Sequence, residues 1–224
     1  MRPARAALLL ASLALAPAAQ ARPVVVELFT SQACASCPPA DALLATYAKN
    51  PGVLPLSFNV TYWNSPVWSD PDSLKAATAR QAWYAGLANS QSVYTPQAIV
   101  DGTVQLVGSD ATKLAAAIAA AQAAPAGDVP VSVKDGAMVR LVIGMGSGSG
   151  NILLLGFDAR HITHIGGGEN SGAVVTEVNV VRSITSLGPW SGQQMAMSMS
   201  RPAGQHMAVL LQANNGAILG AGTN

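Results

Sequence analysis

Residues Glu27 to Asp41 read ELFTSQACASCPPAD, and this stretch decides what kind of domain is built around it. A β-type run, Val24-Val25-Val26, precedes it, and an apolar helical pattern with Leu43, Leu44 and Tyr47 follows. Between them lie both cysteines of the chain, Cys34 and Cys37, in a C-x-x-C spacing. A strand feeding such a pair at the start of a helix is the arrangement thiol–disulfide chemistry needs. The unbroken valines suit a central strand buried on both faces. Pro38 and Pro39 fall in the first helical turn, where a missing backbone N–H costs little.

A free thiol with a pKa near ~8.5 is only about 3% thiolate at pH 7, and lowering that pKa to about 7 raises the fraction roughly fifteen-fold. A helix N-terminus does this through its unpaired N–H groups and its dipole. Cys34 is therefore expected as the nucleophile, with the more exposed sulfur. Cys37 is expected to resolve a mixed disulfide at Cys34. Two alternatives stand beside this reading. A structural staple over four residues removes only about 2 kcal/mol of unfolded-state entropy, against ~4 or more for long loops. A metal site would have two sulfurs and no second cysteine pair to complete a tetrahedral shell. No cofactor is expected.

The first residues read as a leader. Arg2 and Arg5 precede an apolar run from Ala6 to Ala16, and Ala19-Gln20-Ala21 fits a small-residue cleavage site. Cleavage is expected after Ala21. Residue 22 is Arg rather than Cys, which argues against a lipid anchor. Export predicts a periplasmic or secreted protein in which a disulfide persists. The 224-residue chain has 12 basic and 11 acidic residues, and two of the basic ones lie in the leader. The mature chain is thus nearly neutral, which gives no electrostatic case for nucleic acid. No later apolar run reaches the ~20 residues of a membrane-spanning helix. The oligomeric state is not legible.

Val24 to Thr30 reads as a first strand, a helix runs to about Lys49, and VLPLSFNV (Val53 to Val60) is a second strand. Tyr62 to Trp68 reads as an aromatic loop, and Ser69-Asp70-Pro71-Asp72 offers caps for a helix from about Asp72 to Ala88. In VYTPQAIVDGTVQLVG, two β runs flank Asp101-Gly102, a hairpin signal. Ser109 or Asp110 then caps an Ala-rich helix. The order β-α-β-α-β-β-α predicts an α/β domain with a mixed sheet over 22–122. Ala123 to Asp128 reads as a linker. From Val129 to Asn224 the texture changes to seven short runs separated by Gly, Ser and Asn, which predicts an all-β sandwich.

The C-x-x-C stretch, together with Thr95-Pro96 before a strand, resembles the thioredoxin-like superfamily. The resemblance implies a thioredoxin-like α/β domain with a helical insertion, and a cis Thr95–Pro96 bond facing the cysteines. Thr95 backbone groups would then pair with an extended substrate beside Cys34. ELFTSQ-A-C-A-S-C-PPAD, VYTPQ with its Asp-Gly, GEN-S-G and NVVRS are similar over nearly all of the mature chain to a bacterial secreted thioredoxin-like family of unassigned function. The resemblance implies thiol–disulfide exchange with protein or small-molecule thiols and disulfides as partners. A redox-responsive binding protein and a periplasmic copper-binding protein are the alternatives. The chain departs from that family in lacking a carboxylate over Asn59 to Asn64, and in carrying Gly168 where an Arg is common.

Glu27, seven residues before Cys34, is a candidate proton shuttle for the resolving thiol, against the plainer reading of a hydrogen-bonded strand carboxylate. Tyr62, Trp63, Trp68 and Tyr94 are read as loop packing first and a peptide rim second. Met195, Met197 and Met199 recur at the spacing of one strand face, which reads as core before it reads as a copper site. His161 and His164 are expected as surface histidines. Glu169, Asn170, Asn179 and Arg182 are expected to form one polar network.

Overall fold

The computed structural model describes residues 22–124 and 129–224. The expected leader over 1–21 and most of the expected linker lie outside those residues. β1 (Val24–Thr30) is buried along its whole length and pairs in parallel with β2 (Val53–Asn59). On its other side β1 pairs antiparallel with β3 (Gln97–Val100), and β3 pairs with β4 (Val104–Val107). Asp101 and Gly102 both adopt positive φ, 46° and 73°, in the turn between β3 and β4. The Asp101 carboxylate also accepts the Val25 N–H at 2.8 Å, so this turn is tied to the central strand.

Three helices cover this part of the sheet. α1 (Pro38–Tyr47) and α3 (Ala111–Ala123) pack on the face carrying Val24, Val26 and Leu28. α2 (Lys75–Leu87) packs on the face carrying Val25 and Phe29. The Asp110 side chain caps α3 by accepting the Lys113 N–H at 3.0 Å, as the sequence predicts. α2 differs. It begins at Lys75 behind Leu74, with no side-chain cap, because the carboxylates of Asp70 and Asp72 point instead into a buried polar cluster described below.

The second half forms the seven strands expected: β5 (Val131–Lys134), β6 (Val139–Ile143), β7 (Gly150–His164), β8 (Val174–Trp190), β9 (Met195–Met199), β10 (His206–Gln212) and β11 (Ile218–Thr223). They divide between two sheets. β7, β8, β10 and β11 join the first half in one eight-stranded mixed sheet of order β11-β10-β7-β8-β2-β1-β3-β4. β5, β6 and β9 make a separate three-stranded sheet. The composition break near residue 125 marks where helices stop, while the sheet runs through. The seam is a parallel bridge, Ser57 to Val180, supported by Ser57 Oγ donating to the Val178 carbonyl and Asn179 Nδ2 donating to the Pro55 carbonyl, each at 2.8 Å.

Three apolar cores result. One lies under α2 and joins Phe29, Phe58 and Tyr84 to Leu155, Val181 and Leu210 of the second half. A second lies under α1 and α3. The third fills the space between the two sheets around buried Trp190, Leu141 and Val209. Met195, Met197 and Met199 pack against that third core beside buried Met207, so the methionine stripe is packing surface.

Candidate functional site

Cys34 and Cys37 form a disulfide across the turn that enters α1. Cys37 is the N-cap residue of the helix. Cys34 sits one turn earlier, its N–H donating to Ser31 O at 3.1 Å and its carbonyl accepting the Cys37 N–H at 3.2 Å. The two prolines change the electrostatics expected here. Pro38 and Pro39 carry no N–H, and the next two donors, Ala40 and Asp41, are both spent on the Cys37 carbonyl at 2.8 and 3.1 Å. The helix dipole remains, but no free N–H of the first turn faces Cys34. The polar neighbour of its sulfur is Ser36 Oγ, 3.4 Å from Sγ. Cys34, expected to have the more exposed sulfur, and Cys37 are both buried, at 1% and 0% exposed, because the loop is covered from both sides.

On one side is the segment before β3. Thr95–Pro96 is a cis peptide bond. Ser36 Oγ donates to the Thr95 carbonyl at 3.4 Å, and Trp63 Nε1 donates to Thr95 Oγ1 at 2.7 Å. Gly108 packs against this point: a Cβ there would lie 2.5 Å from Leu28 and 3.3 Å from Pro96. Tyr62, Trp63 and Tyr94 remain about two-fifths exposed around it, while Trp68 packs on Gly166 and Gly168 of the β7–β8 connection. Trp68 is thus packing, while Tyr62, Trp63 and Tyr94 keep part of their rings open to solvent.

On the other side is that connection itself. Asn170 Nδ2 donates to the carbonyls of Gln32 and Cys34, at 3.0 and 2.9 Å. The polar network expected from Glu169, Asn170, Asn179 and Arg182 is thus split. Asn170 holds the cysteine loop, Asn179 closes the sheet seam, Arg182 pairs with Asp72 and lies 3.7 Å from Asp158, and Glu169 is exposed.

Beneath the cysteines lies a buried acidic cluster that the sequence reading missed. Asp41, one turn after Cys37, accepts from Thr30 Oγ1 at 2.8 Å. Glu177 of β8 accepts from Gln32 Nε2 at 2.8 Å and Asn59 Nδ2 at 2.6 Å. Asp70 accepts from the Gln32 N–H and from Asn59 Nδ2, each at 3.0 Å. Burial, then the Asp70 charge, pushes the Glu177 carboxyl up to about 7. Burial and the Glu177 charge hold the Asp41 carboxyl well above the usual range, and burial raises Asp70 as well. Gln32 Oε1 and Asn59 Oδ1 meet no donor among the described residues, and a protonated carboxyl is the kind of group that supplies one. His161 closes the cluster toward solvent. Its two ring nitrogens lie 2.8 Å from Asp72 and 3.0 Å from Asp158, an arrangement that suits the doubly protonated ring. Burial pulls its pKa down, but the two carboxylates outweigh this and raise it. No three His, Cys, Asp or Glu among the described residues converge into a metal site.

Glu27 is not part of this constellation. It shares the β1 face of Val25 and Phe29, opposite α1, where Arg80 grips it through Nε and Nη2 (2.7 Å for Nη2) and Tyr84 Oη donates to it at 2.6 Å. The carboxyl brought to the cysteine end of α1 is Asp41. Its signal was present in the PPAD of the opening stretch, as an acidic residue on the apolar side of a short helix.

The family described as "Protein of unknown function (DUF1223)" matches residues 25–212, and the chain belongs to it. A crystal structure of protein AGR_C_4864 from Agrobacterium tumefaciens is similar at 33% identity and a TM-score of 0.79, covering 92% of this chain and 95% of that one. HBP35 of Porphyromonas gingivalis shares the fold at 12% identity and a TM-score of 0.57, over 91% of this chain and 75% of that one. No curated protein matches the chain.

Proposed function

We propose that this member of the DUF1223 family is an exported thiol–disulfide oxidoreductase with a thioredoxin-like first half. The observation that carries the reading is the Cys34–Cys37 disulfide at the start of α1, with Asp41 buried one turn behind it. The sheet order β2-β1-β3-β4, with β1 and β2 parallel and β3 and β4 antiparallel, supports the thioredoxin-like assignment. Protein or small-molecule thiols are the proposed partners, and the location proposed, from the leader expected over residues 1–21, is periplasmic or secreted.

In the disulfide state a substrate thiolate attacks Cys34 Sγ. The Cys34–Cys37 bond breaks, its electron pair leaves on Cys37 Sγ, and Cys37 takes up a proton from the carboxyl cluster headed by Asp41. A second substrate thiol attacks the substrate sulfur bonded to Cys34; that mixed disulfide breaks, its electron pair leaves on Cys34 Sγ, and Cys34 takes up the proton the attacking thiol gives up. The substrate gains a disulfide and the protein becomes a dithiol; the reverse sequence reduces a substrate. Thr95 and Pro96 shape the groove beside Cys34.

The test is an insulin-reduction assay combined with a titration of the pair in a thiol/disulfide buffer. Cys34→Ala is expected to abolish turnover, and full activity in that variant overturns the mechanism. The burial of Cys34 favours a second reading, a binding protein that senses redox state. It predicts partner affinity that changes on reduction, with no insulin turnover by the wild type.

A further inference from the structure

On the face of the large sheet opposite the cysteines, the side of α2 and the strands of the second half border an open cleft of about 470 Å³. Its volume lies within the ~300–1,000 Å³ range of small-molecule sites, which favour seams between structural units. Arg80 and Gln212 form its back wall, Asn151 and Ser186 lie in its strand floor, and Trp83 and Asn214 stand at its rim.

The back wall is unusually costly to build. Arg80 is 8% exposed and Glu27 is fully buried. Burying an ion pair of this kind gains little over apolar residues of the same volume, so stability alone does not account for it. It is also rigid. Tyr84 Oη donates to Glu27 and accepts from Arg80 Nη2 at 3.1 Å and Gln212 Nε2 at 2.7 Å, and the guanidinium lies 5.1 Å from the Tyr84 ring and 5.7 Å from the Phe58 ring. Glu27 takes Nε and Nη2, and no described residue hydrogen-bonds Nη1. A fixed donor edge is therefore left at the cleft.

The chemistry of the lining selects the ligand class. Glu27 cancels the charge of Arg80, and no other ionisable side chain lines the cleft, so it holds no net charge for a charged ligand. Ser186 and the Asn151 and Asn214 amides, which meet each other only through a long Asn151 Nδ2 to Asn214 Oδ1 bond of 3.4 Å, offer donors and acceptors that match adjacent hydroxyls. Gln212 adds Oε1 as an acceptor, because its Nε2 donates to Tyr84 and Gly216. The half-exposed Trp83 indole offers a flat apolar platform beside them. We propose that this cleft binds a small neutral polyhydroxylated molecule of the mono- or disaccharide class, with Arg80 Nη1 and the Asn151 and Asn214 amides on its hydroxyls and Trp83 against its ring face.

The test uses the oxidised mature chain, residues 22–224, with D-glucose and maltose as probes and succinate as an anionic control, followed by saturation-transfer NMR and calorimetry. Saturable binding of at least one sugar is expected. It should weaken at least tenfold in Trp83→Ala and in Asn214→Ala, both at the rim, with the melting transition unchanged. It should be unaltered in Cys34→Ser, which separates it from the redox reading. The proposal is overturned if neither sugar binds saturably, if both rim variants bind as the wild type does, or if succinate binds and the sugars do not.

Discussion

Asn170 hydrogen-bonds the carbonyl oxygen of Cys34 at 2.9 Å, although 136 positions separate them in the chain. The same amide nitrogen holds the Gln32 carbonyl, so the β7–β8 connection of the second half fastens the cysteine loop of the first. Losing both bonds costs about 1–3 kcal/mol. Asn170→Ala should lower stability by that amount in urea titrations. It should also speed reduction of the disulfide by dithiothreitol several-fold. An unchanged reduction rate in a destabilised variant would show that the clamp does not govern access to the sulfurs.

Because Pro38 supplies no N–H at the first helical position, Pro38→Ala restores a donor near Cys34. A helix-terminus interaction of about 0.3–1 kcal/mol corresponds to ~0.5 pH unit. Alkylation of the reduced protein by iodoacetamide should therefore reach its half-maximal rate at a pH lower by that amount. Ser36→Ala, which removes the hydroxyl 3.4 Å from Cys34 Sγ, should move it the other way.

Stability should fall as pH rises from about 4.5 to about 7. Glu177 is raised from 4.5 to about 7 in the folded state, so over that window the folded protein holds a proton that the unfolded chain has released. Its contribution is complete below the unfolded value, is lost through the folded one, and is of the order of 3 kcal/mol. The raised His161 adds a loss of the same sign, beginning at its unfolded value and ending at its higher folded one. Glu177→Gln should flatten the curve over 4.5–7, as read from thermal melts at stepped pH.

Glu27→Ala leaves the Arg80 charge buried and unpaired, at a cost of about 3–5 kcal/mol in chemical denaturation. Replacing both partners by apolar residues, Glu27→Leu with Arg80→Met, should recover most of this. Exchange activity per folded molecule should stay at the wild-type level in both variants, since Glu27 lies on the sheet face away from α1. A selective loss of activity in Glu27→Ala would restore Glu27 to the proton path.

Much of the fold was legible because its signals are local. The valine run before the cysteines, the two prolines after them, the Asp101-Gly102 turn and the Asp110 cap each act within a few residues of where they stand. The seven β runs after residue 129 were readable for the same reason. What failed was the role of carboxylates whose partners lie far away in the chain. Asp70 and Asp72 have the identity of helix caps, yet they serve Gln32, Asn59, His161 and Arg182. Glu27 has the spacing of a proton shuttle, yet strand alternation turns it to the other face.

The opening stretch by itself determined a buried strand, a cysteine pair and a helix entered through prolines, since backbone sterics and hydrophobic alternation need no knowledge of the rest of the chain. It could not show which carboxyl lies beneath the pair, what covers Cys34, or that β8 extends the same sheet. Those depend on contacts such as Gln32 to Glu177 and Asn170 to Cys34, across 145 and 136 positions. Such contacts are decided by packing and by the cost of leaving buried polar groups unpaired, and both are settled only when the whole chain is folded.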